Sequence, residues 1–421
     1  MSSIKRIYGL LLGKLSNNGM VLENYFFMTI LQVLNMCFYI LIYPFLIRTI
    51  GVEGYGLYAY AASIVLLFIT FLNFGFDLPA AKRVAEHAED KVYLQELVSV
   101  VFFSKVALGV VSAVVFVILL YTFPIMCDNR LVFSIVYIQT FTFILFPQWY
   151  YQGLQKMKIV TLIQLSFRIL SLPVIFFVLK TEDDVWIFSL IVSVSSLLGG
   201  ITSILMIKYQ DGLELHFVGF DRIKNAYKES IPFFLSNVTG VVKEQGIVVL
   251  IGSFLGMKDV AIYDLAYKII IIPRTLFSKL NDAFYPKLLV NRQRSSIVQI
   301  LKAEFVIGVL IILGVVIFGK FAVSILGGEE MSDAYYVCII LSVTVMGWLL
   351  AGAYIQFCFI PEGYSSLILH NQIVALVSCF LISGIGLYIW HNVYALVVGI
   401  ASSSICEIVF CCYIAKKYRM L

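Results

Sequence analysis

Eight ionisable side chains lie deep inside long apolar runs of this sequence: Lys105, Arg168, Lys243, Glu244, Asp264, Lys268, Arg274 and Glu407. An ionised side chain at the centre of a bilayer costs at least ~2.5 kcal/mol on insertion scales, so each is expected to face a cavity or a partner. Five of the eight are basic. Guanidinium and ammonium groups are the usual partners of phosphate oxygens. The chemistry this set suggests is therefore the binding of an anionic group, such as a pyrophosphate, in a cationic cavity.

Arg168 falls nine residues into the apolar window 159–179, about 13 Å deep at 1.5 Å per residue. Lys243 and Lys268 have similar depth. These three, with Lys105 and Arg274, are the candidates for lining the cavity; Glu244, Asp264 and Glu407 are the candidates for ion pairing or for coupling to an ion. Plainer roles stand beside these. Lys105, Arg274 and Lys279 can snorkel or cap helix ends. Asp264 and Lys268, four apart on one helical face, can neutralise each other, and Glu407 can hydrogen-bond to a neighbouring helix. No catalytic or metal site is expected, because the sequence contains no Walker A, HExxH or nucleophile-elbow motif. Cys37, Cys127, Cys338, Cys358, Cys379, Cys406, Cys411 and Cys412 lie mostly in apolar runs, with no CxxC pair and no nearby His at ligand spacing. They read as small packing residues, and neither a cofactor nor an enzymatic activity is expected.

The elements that hold these residues follow from composition. Of 421 residues, 61% are hydrophobic and 13% charged, against roughly 25% charged in soluble domains; the mean hydropathy is +0.96. Such a chain cannot cover a water-exposed surface. It reads as an all-α polytopic membrane protein. Twelve windows reach the roughly 20 apolar residues a span needs: 26–47, 57–76, 99–121, 131–151, 159–179, 185–207, 231–253, 260–285, 303–325, 335–359, 366–389 and 393–415. The eighth is the least clean, with Asp264, Lys268, Pro273 and Arg274 inside it. Prolines at 44, 79, 147, 173, 232, 273 and 286 fall within spans or near their ends and predict kinks.

With both termini inside, 19 Lys and Arg lie in cytoplasmic segments and five, Arg48, Arg130, Lys180, Lys258 and Lys320, lie outside. That asymmetry predicts orientation, and it accounts for the net charge of +5 without nucleic acid. No cleavable signal peptide is expected, and Ile4–Leu15, which mixes basic and apolar positions, reads as an interfacial cytoplasmic helix. The outer loops are short and leave no room for a catalytic domain. The expected organisation is a cytoplasmic segment 1–25, an N-terminal lobe 26–207 of six spans, a cytoplasmic linker 208–230, a C-terminal lobe 231–415 of six spans, and a basic tail 416–421.

The chain also repeats at an offset of 205. Gly51 aligns with Gly256, Tyr58 with Tyr263, Ala61 with Ala266, Asp77 with Asp282 and Lys82 with Lys287. Two halves of six spans in one orientation predict lobes related by a pseudo-two-fold axis along the membrane normal. Parallel repeats of this kind mark transporters.

Four segments, PFLIRTIGVEGYGLYAYAASI (44–64), LNFGFDLPAAKRVA (72–85), FSKVAL (103–108) and PQWYYQGLQKMK (147–158), together resemble the polysaccharide transporter family. The likeness is clearest in the N-terminal half, and the block running from Pro147 through Trp149, Gln152 and Gly153 to Met157 is its most specific part. The matching motif positions are Arg48, Gly51, Gly54, Tyr55, Gly75, Pro147, Trp149, Gln152 and Gly153. The resemblance implies a flippase for undecaprenyl-pyrophosphate-linked O-antigen or capsule repeat units in the bacterial inner membrane. It implies a MATE-like, V-shaped pair of six-helix bundles working by alternating access. H+ or Na+ is implied as coupling ion, with membrane lipids and, beside the protein, the O-antigen polymerase and chain-length regulator as partners.

Two other functions compete for the same residues. A MATE-type multidrug or cation antiporter typically places acidic residues inside its N-terminal lobe, whereas windows one to six here hold no deep Asp or Glu and do hold Lys105 and Arg168. A membrane O-antigen polymerase or glycosyltransferase would want a long outer loop, which is absent.

Overall fold

The computed structural model describes residues 19–290, 294–418 and 420. The expected interfacial helix Ile4–Leu15 and Arg419 of the basic tail lie outside these, as do the side chains of Lys279 and Asp282. All regular structure among the described residues is helical. In hydrocarbon every backbone N–H and C=O must be paired within its own segment, and a helix achieves this alone. Eleven helices are long and apolar enough to cross a membrane, from Phe26–Thr49 to Val393–Lys417, and they overlap eleven of the expected windows. The exception is the eighth. Window 260–285 lies inside the continuous 34-residue helix Met257–Val290, whose Asp264, Lys268 and Arg274 interrupt its apolar character. Length and apolarity thus mark eleven spans among the described residues and leave Met257–Val290 below that criterion.

Burial follows the solvent the chain was built for. Large apolar side chains such as Val110, Ile118, Phe177, Ile317 and Phe318 point outwards, Phe177 with 80% of its surface exposed. Contiguous exposed apolar surface of this kind suits lipid and not water. Among the buried positions are small polar residues that let helices approach closely. Ser99, Ser104 and Ser189 are wholly buried, and each returns its hydroxyl to a carbonyl one turn back: Gln95 at 2.8 Å, Val100 at 2.7 Å and Val185 at 2.9 Å.

Contacts divide the chain into two compact units. Unit 1 comprises the chain up to Ile42, Phe68–Lys180 and Asp184–Leu235, and unit 2 comprises Tyr43–Leu67, Thr181–Asp183 and Ser236–Leu421. In unit 1 the span Arg130–Gly153 is broken into helices Arg130–Tyr137, Gln139–Leu145 and Gln148–Gly153. The second break falls at Pro147, which lacks a backbone donor. It swings Trp149, Tyr150 and Tyr151 into the core, each no more than 2% exposed. There Tyr150 donates to Asp211 Oδ2 at 3.0 Å, Lys156 donates to Asp211 Oδ1 at 2.9 Å, and Tyr151 donates to the Ser203 carbonyl at 2.8 Å.

Gly153 closes this region. A Cβ there would stand 2.6 Å from the Ala81 carbonyl oxygen and 2.6 Å from Val84 Cβ on helix Asp77–Glu86. Gly153→Ala is expected to cost about 1–3 kcal/mol, the usual range for overpacking, read as a lower unfolding temperature of the purified protein. An unchanged temperature would show that the two helices separate freely.

Unit 2 holds the opening part of both copies of the repeated segment, Gly51–Ala61 and Gly256–Ala266. Gly51 (φ +72°) and Gly256 (φ +130°) stand at the heads of helices Gly51–Asn73 and Met257–Val290. The aligned pairs Tyr58 and Tyr263, and Ala61 and Ala266, are all buried. The copies part where Asp77 opens a separate short helix while Asp282 continues Met257–Val290. A second core surrounds Tyr354, Phe357, Phe359 and Cys411, where a π turn returns the Ile360 N–H to the Ile355 carbonyl at 2.9 Å.

Candidate functional site

Unit 1 encloses a cavity of about 300 Å³, at the lower end of small-ligand clefts. Three unbroken apolar helices and the broken span carry most of its polar lining. Helix Met157–Val178 supplies Gln164 and Arg168, one turn apart and so on one face. Helix Lys91–Thr122 supplies Lys105. Helix Val185–Met206 supplies Ser195, Ser196 and Gly199, and Gln139, Thr142, Phe143, Phe146 and Gln148 come from the broken span.

Both cations are held in place. Lys105 is 3% exposed and donates to Asn73 Oδ1 at 2.9 Å and Asp77 Oδ1 at 3.2 Å. Those two acceptors are set by the turn between them, where Phe74 (φ +41°) and Gly75 (φ +71°) are both left-handed. At Gly75 an added Cβ would come within 2.6 Å of the Phe234 nitrogen. Phe74 pays for its strained φ by stacking on the Phe234 ring, centroids 4.5 Å apart. Arg168 donates from its Nη1 to Asn35 Oδ1 at 2.6 Å and lies over the Phe38 ring at 5.0 Å. Two cations and one carboxylate, Asp77, therefore line the cavity. In a low-dielectric surround such an excess of positive charge attracts an anion far more strongly than in water.

Unit 2 handles its charges differently. Lys243 pairs with Glu407 at 2.5 Å and Arg274 with Glu244 at 2.8 Å. Tyr267 donates to the second Glu244 oxygen at 3.0 Å, and the Arg274 guanidinium covers the Trp348 ring at 5.1 Å. These groups line a cavity of about 50 Å³, space for a few waters and not for a sugar. Its two cations and two carboxylates balance. Elsewhere in unit 2, Lys268 bonds both Asp264 and the Tyr55 hydroxyl, Tyr55 donates to Asp264 at 2.6 Å, and the Lys268 ammonium lies over the rings of Tyr43 and Tyr55 at 5.5 and 5.1 Å.

The structure thus sorts the expected residues into three groups: Lys105 with Arg168 in unit 1, and Lys243, Glu244, Arg274 and Glu407 apart from the Asp264–Lys268 pair in unit 2. Of the motif positions, Tyr55 joins the Asp264–Lys268 cluster and Gly75 shapes the turn that holds Lys105. Pro147, Trp149 and Gly153 build the core beside helix Asp77–Glu86, whereas Arg48 and Gln152 are exposed and Gly51 and Gly54 are half-buried. Charge reasoning passed over Asn73, Gln139, Gln164, Ser195 and Ser196. The signal for them was present as neutral amides and hydroxyls inside apolar windows.

The sequence matches the family described as Polysaccharide biosynthesis protein over residues 21–292. A candidate O-antigen transporter of Escherichia coli (strain K12) is 24% identical over 65% of this chain and 67% of its own length. A candidate O-antigen transporter of Shigella dysenteriae is 23% identical over 89% of this chain and 95% of its own. Among solved structures, an inward-facing multidrug resistance MATE family transporter of the MOP superfamily superposes with a TM-score of 0.67 at 14% identity, covering 90% of this chain and 94% of that one. An outward-facing one gives 0.57 at 14%, covering 94% and 93%. At such identity the likeness speaks for the fold, which is the all-helical polytopic fold of MATE transporters. With the family match spanning more than half of its length, the chain belongs to the polysaccharide biosynthesis protein family.

Proposed function

We propose that this protein is a flippase that turns undecaprenyl-pyrophosphate-linked O-antigen or capsule repeat units from the cytoplasmic to the outer leaflet of the bacterial inner membrane. The observation that carries the reading is the unit 1 cavity, where Lys105 and Arg168 stand among amides, hydroxyls and aromatic rings inside an apolar helical body. A diphosphate needs the cations and a glycan needs the amides and rings. The two O-antigen transporter relatives support the same cargo class.

In this reading the protein moves its cargo by alternating access of two six-span lobes, 26–207 and 231–415, with both termini cytoplasmic. The balanced network of unit 2 serves coupling. Glu244, Glu407 and Asp264 each share a proton-carrying or cationic partner, so protonation of any one releases a buried cation. H+ fits that chemistry as coupling ion, since each of these carboxylates already accepts from a cationic partner that its protonation would release. The polymerase and chain-length regulator act downstream on the flipped product. Export of cationic drugs suits the unit 1 cavity poorly, because its lining carries two cations against one carboxylate.

Deleting the gene tests the reading. Lipid-linked repeat units are expected to accumulate in the cytoplasmic leaflet while surface glycan disappears. Unaltered lipid-linked pools with changed drug sensitivity would refute it.

A further inference from the structure

We propose that unit 2 carries a proton route from a solvent-reached pocket at the start of helix Met257–Val290 to Glu244, by way of Asp259, Tyr263 and Tyr267 on one face of that helix. The proposal rests on the coupling role given above to the Glu244 network and adds where the proton enters and how it travels.

Spacing carries the first part. Asp259, Tyr263 and Tyr267 recur every fourth residue at the head of the helix. Residues four apart share a face, and eight residues rise about 12 Å. The same face continues through Ile270, Ile271 and Arg274, which with Tyr263 and Tyr267 line the cavity of about 50 Å³ around Glu244. One turn the other way, Asp259 lines a separate cavity of about 250 Å³ with Asp333, His391, Asn392 and Tyr394. Asp333, His391 and Asn392 are exposed and Asp259 is half-buried, so water reaches this second cavity. In the orientation expected from charge, Lys258 lies outside, and Asp259 next to it opens to the face from which protons re-enter the cell.

The inner links are in place. Tyr263 is 3% exposed and stacks on Tyr267, ring centroids 6.2 Å apart. Tyr267 donates to Glu244 Oε2 at 3.0 Å, and Arg274 Nη1 donates to Oε1 at 2.8 Å. A phenol both donates and accepts, so it can take a proton on one side while passing its own onwards, without becoming charged. The small cavity is polar and has room for bridging waters. Outer water protonates the Asp259 carboxylate. That proton moves to Tyr263 as Tyr263 releases its own towards Tyr267, and Tyr267 in the same way delivers a proton to Glu244. Charge changes only at the two ends: Asp259 returns to carboxylate, and a neutral Glu244 lets Arg274 go.

The fold does not require this stripe. At the offset of 205, Asp259, Tyr263 and Tyr267 fall on Gly54, Tyr58 and Ala62, so the first copy builds the same face with one phenol and no acid. Polar groups placed in a membrane helix are costly unless they are satisfied or used.

The test reconstitutes the purified full chain in liposomes and follows flipping of a fluorescent farnesyl diphosphate-linked N-acetylglucosamine while the pH at the outer face is varied. The wild-type rate is expected to rise as that pH falls, by up to about tenfold per pH unit, the limit for one proton per cycle. Asp259→Asn and Tyr267→Phe should each flatten this slope, and Asp259→Glu should restore it. A merely structural role would lower the rate and leave the slope intact. Lys258, Asp333, His391 and Tyr394 also face Asp259, and of these His391 titrates nearest neutrality. His391→Asn should keep the slope; if it alone flattens it, the imidazole is the entry and the Asp259 route falls. If Asp259→Asn and Tyr267→Phe keep the wild-type slope, the route is wrong and proton coupling survives. A wild type that flips the probe with no dependence on outer pH would remove coupling and route together and leave the flippase reading standing. If the wild type does not move the probe at all, the flippase reading falls and takes the route with it.

Discussion

Arg168→Ala is expected to abolish surface display of the glycan while the protein stays in the membrane at its normal level. Arg168 is half-buried on a largely apolar helix, and it shares its cavity with Lys105. A hydrogen bond to a charged group is worth about 1.5–3 kcal/mol, roughly ten- to hundredfold in affinity. A guanidinium can grip two phosphate oxygens at once, so the upper part of that range applies. The conservative variant separates charge from geometry. Arg168→Lys keeps the cation but not the planar fork and should retain partial display. Arg168→Gln keeps a donor for Asn35, the acceptor of the native 2.6 Å bond, without the charge, and should fail like alanine. Normal display from Arg168→Gln at normal expression would remove the cationic role and leave Arg168 as a strut between two helices.

Lys105→Ala makes a weaker companion. Its ammonium is already engaged by Asn73 and Asp77, and a diphosphate would have to compete with that carboxylate. Loss of Lys105 also frees the Phe74–Gly75 turn from the group it serves. Its effect should therefore appear partly as lower expression, and a conservative Lys105→Arg variant should restore the level more fully than the transport.

What the sequence made legible depended on how far apart the partners lie. Spans were readable because hydropathy is a local sum, and the one that falls short of the apolar criterion, within Met257–Val290, was flagged by its own charges. The Asp264–Lys268 pair is visible as a spacing of four. Lys243 with Glu407 is separated by 164 residues and Arg274 with Glu244 by 30, and no periodicity links them. A scan for charge found all of these residues but could not divide them into an anion-attracting cavity and a balanced network. It also passed over Gln139 and Gln164, since a neutral amide barely alters a hydropathy window. The family block around Pro147 was legible as a motif, yet its residues turn out to hold Tyr150, Lys156 and Asp211 together, which is packing work beside the site.

The second large effect concerns the Lys243–Glu407 pair, whose side chains are 21% and 13% exposed. Removing one partner leaves an uncompensated buried charge, which typically costs 3–5 kcal/mol. Lys243→Ala and Glu407→Ala are each expected to lower the unfolding temperature sharply. Replacing both together with methionine, Lys243→Met with Glu407→Met, should recover most of the loss, because two apolar side chains of similar volume avoid the desolvation cost altogether. The double-mutant cycle isolates the pair from its surroundings. Transport should not recover with stability. If the pair exists to exchange a proton during the cycle, a well-folded methionine pair is inert, and flipping should stay at background while lipid binding in unit 1 persists. A double variant that is both stable and active would assign Lys243 and Glu407 to helix packing and move the coupling role to Glu244 and Asp264, whose basic partners Arg274 and Lys268 remain in place.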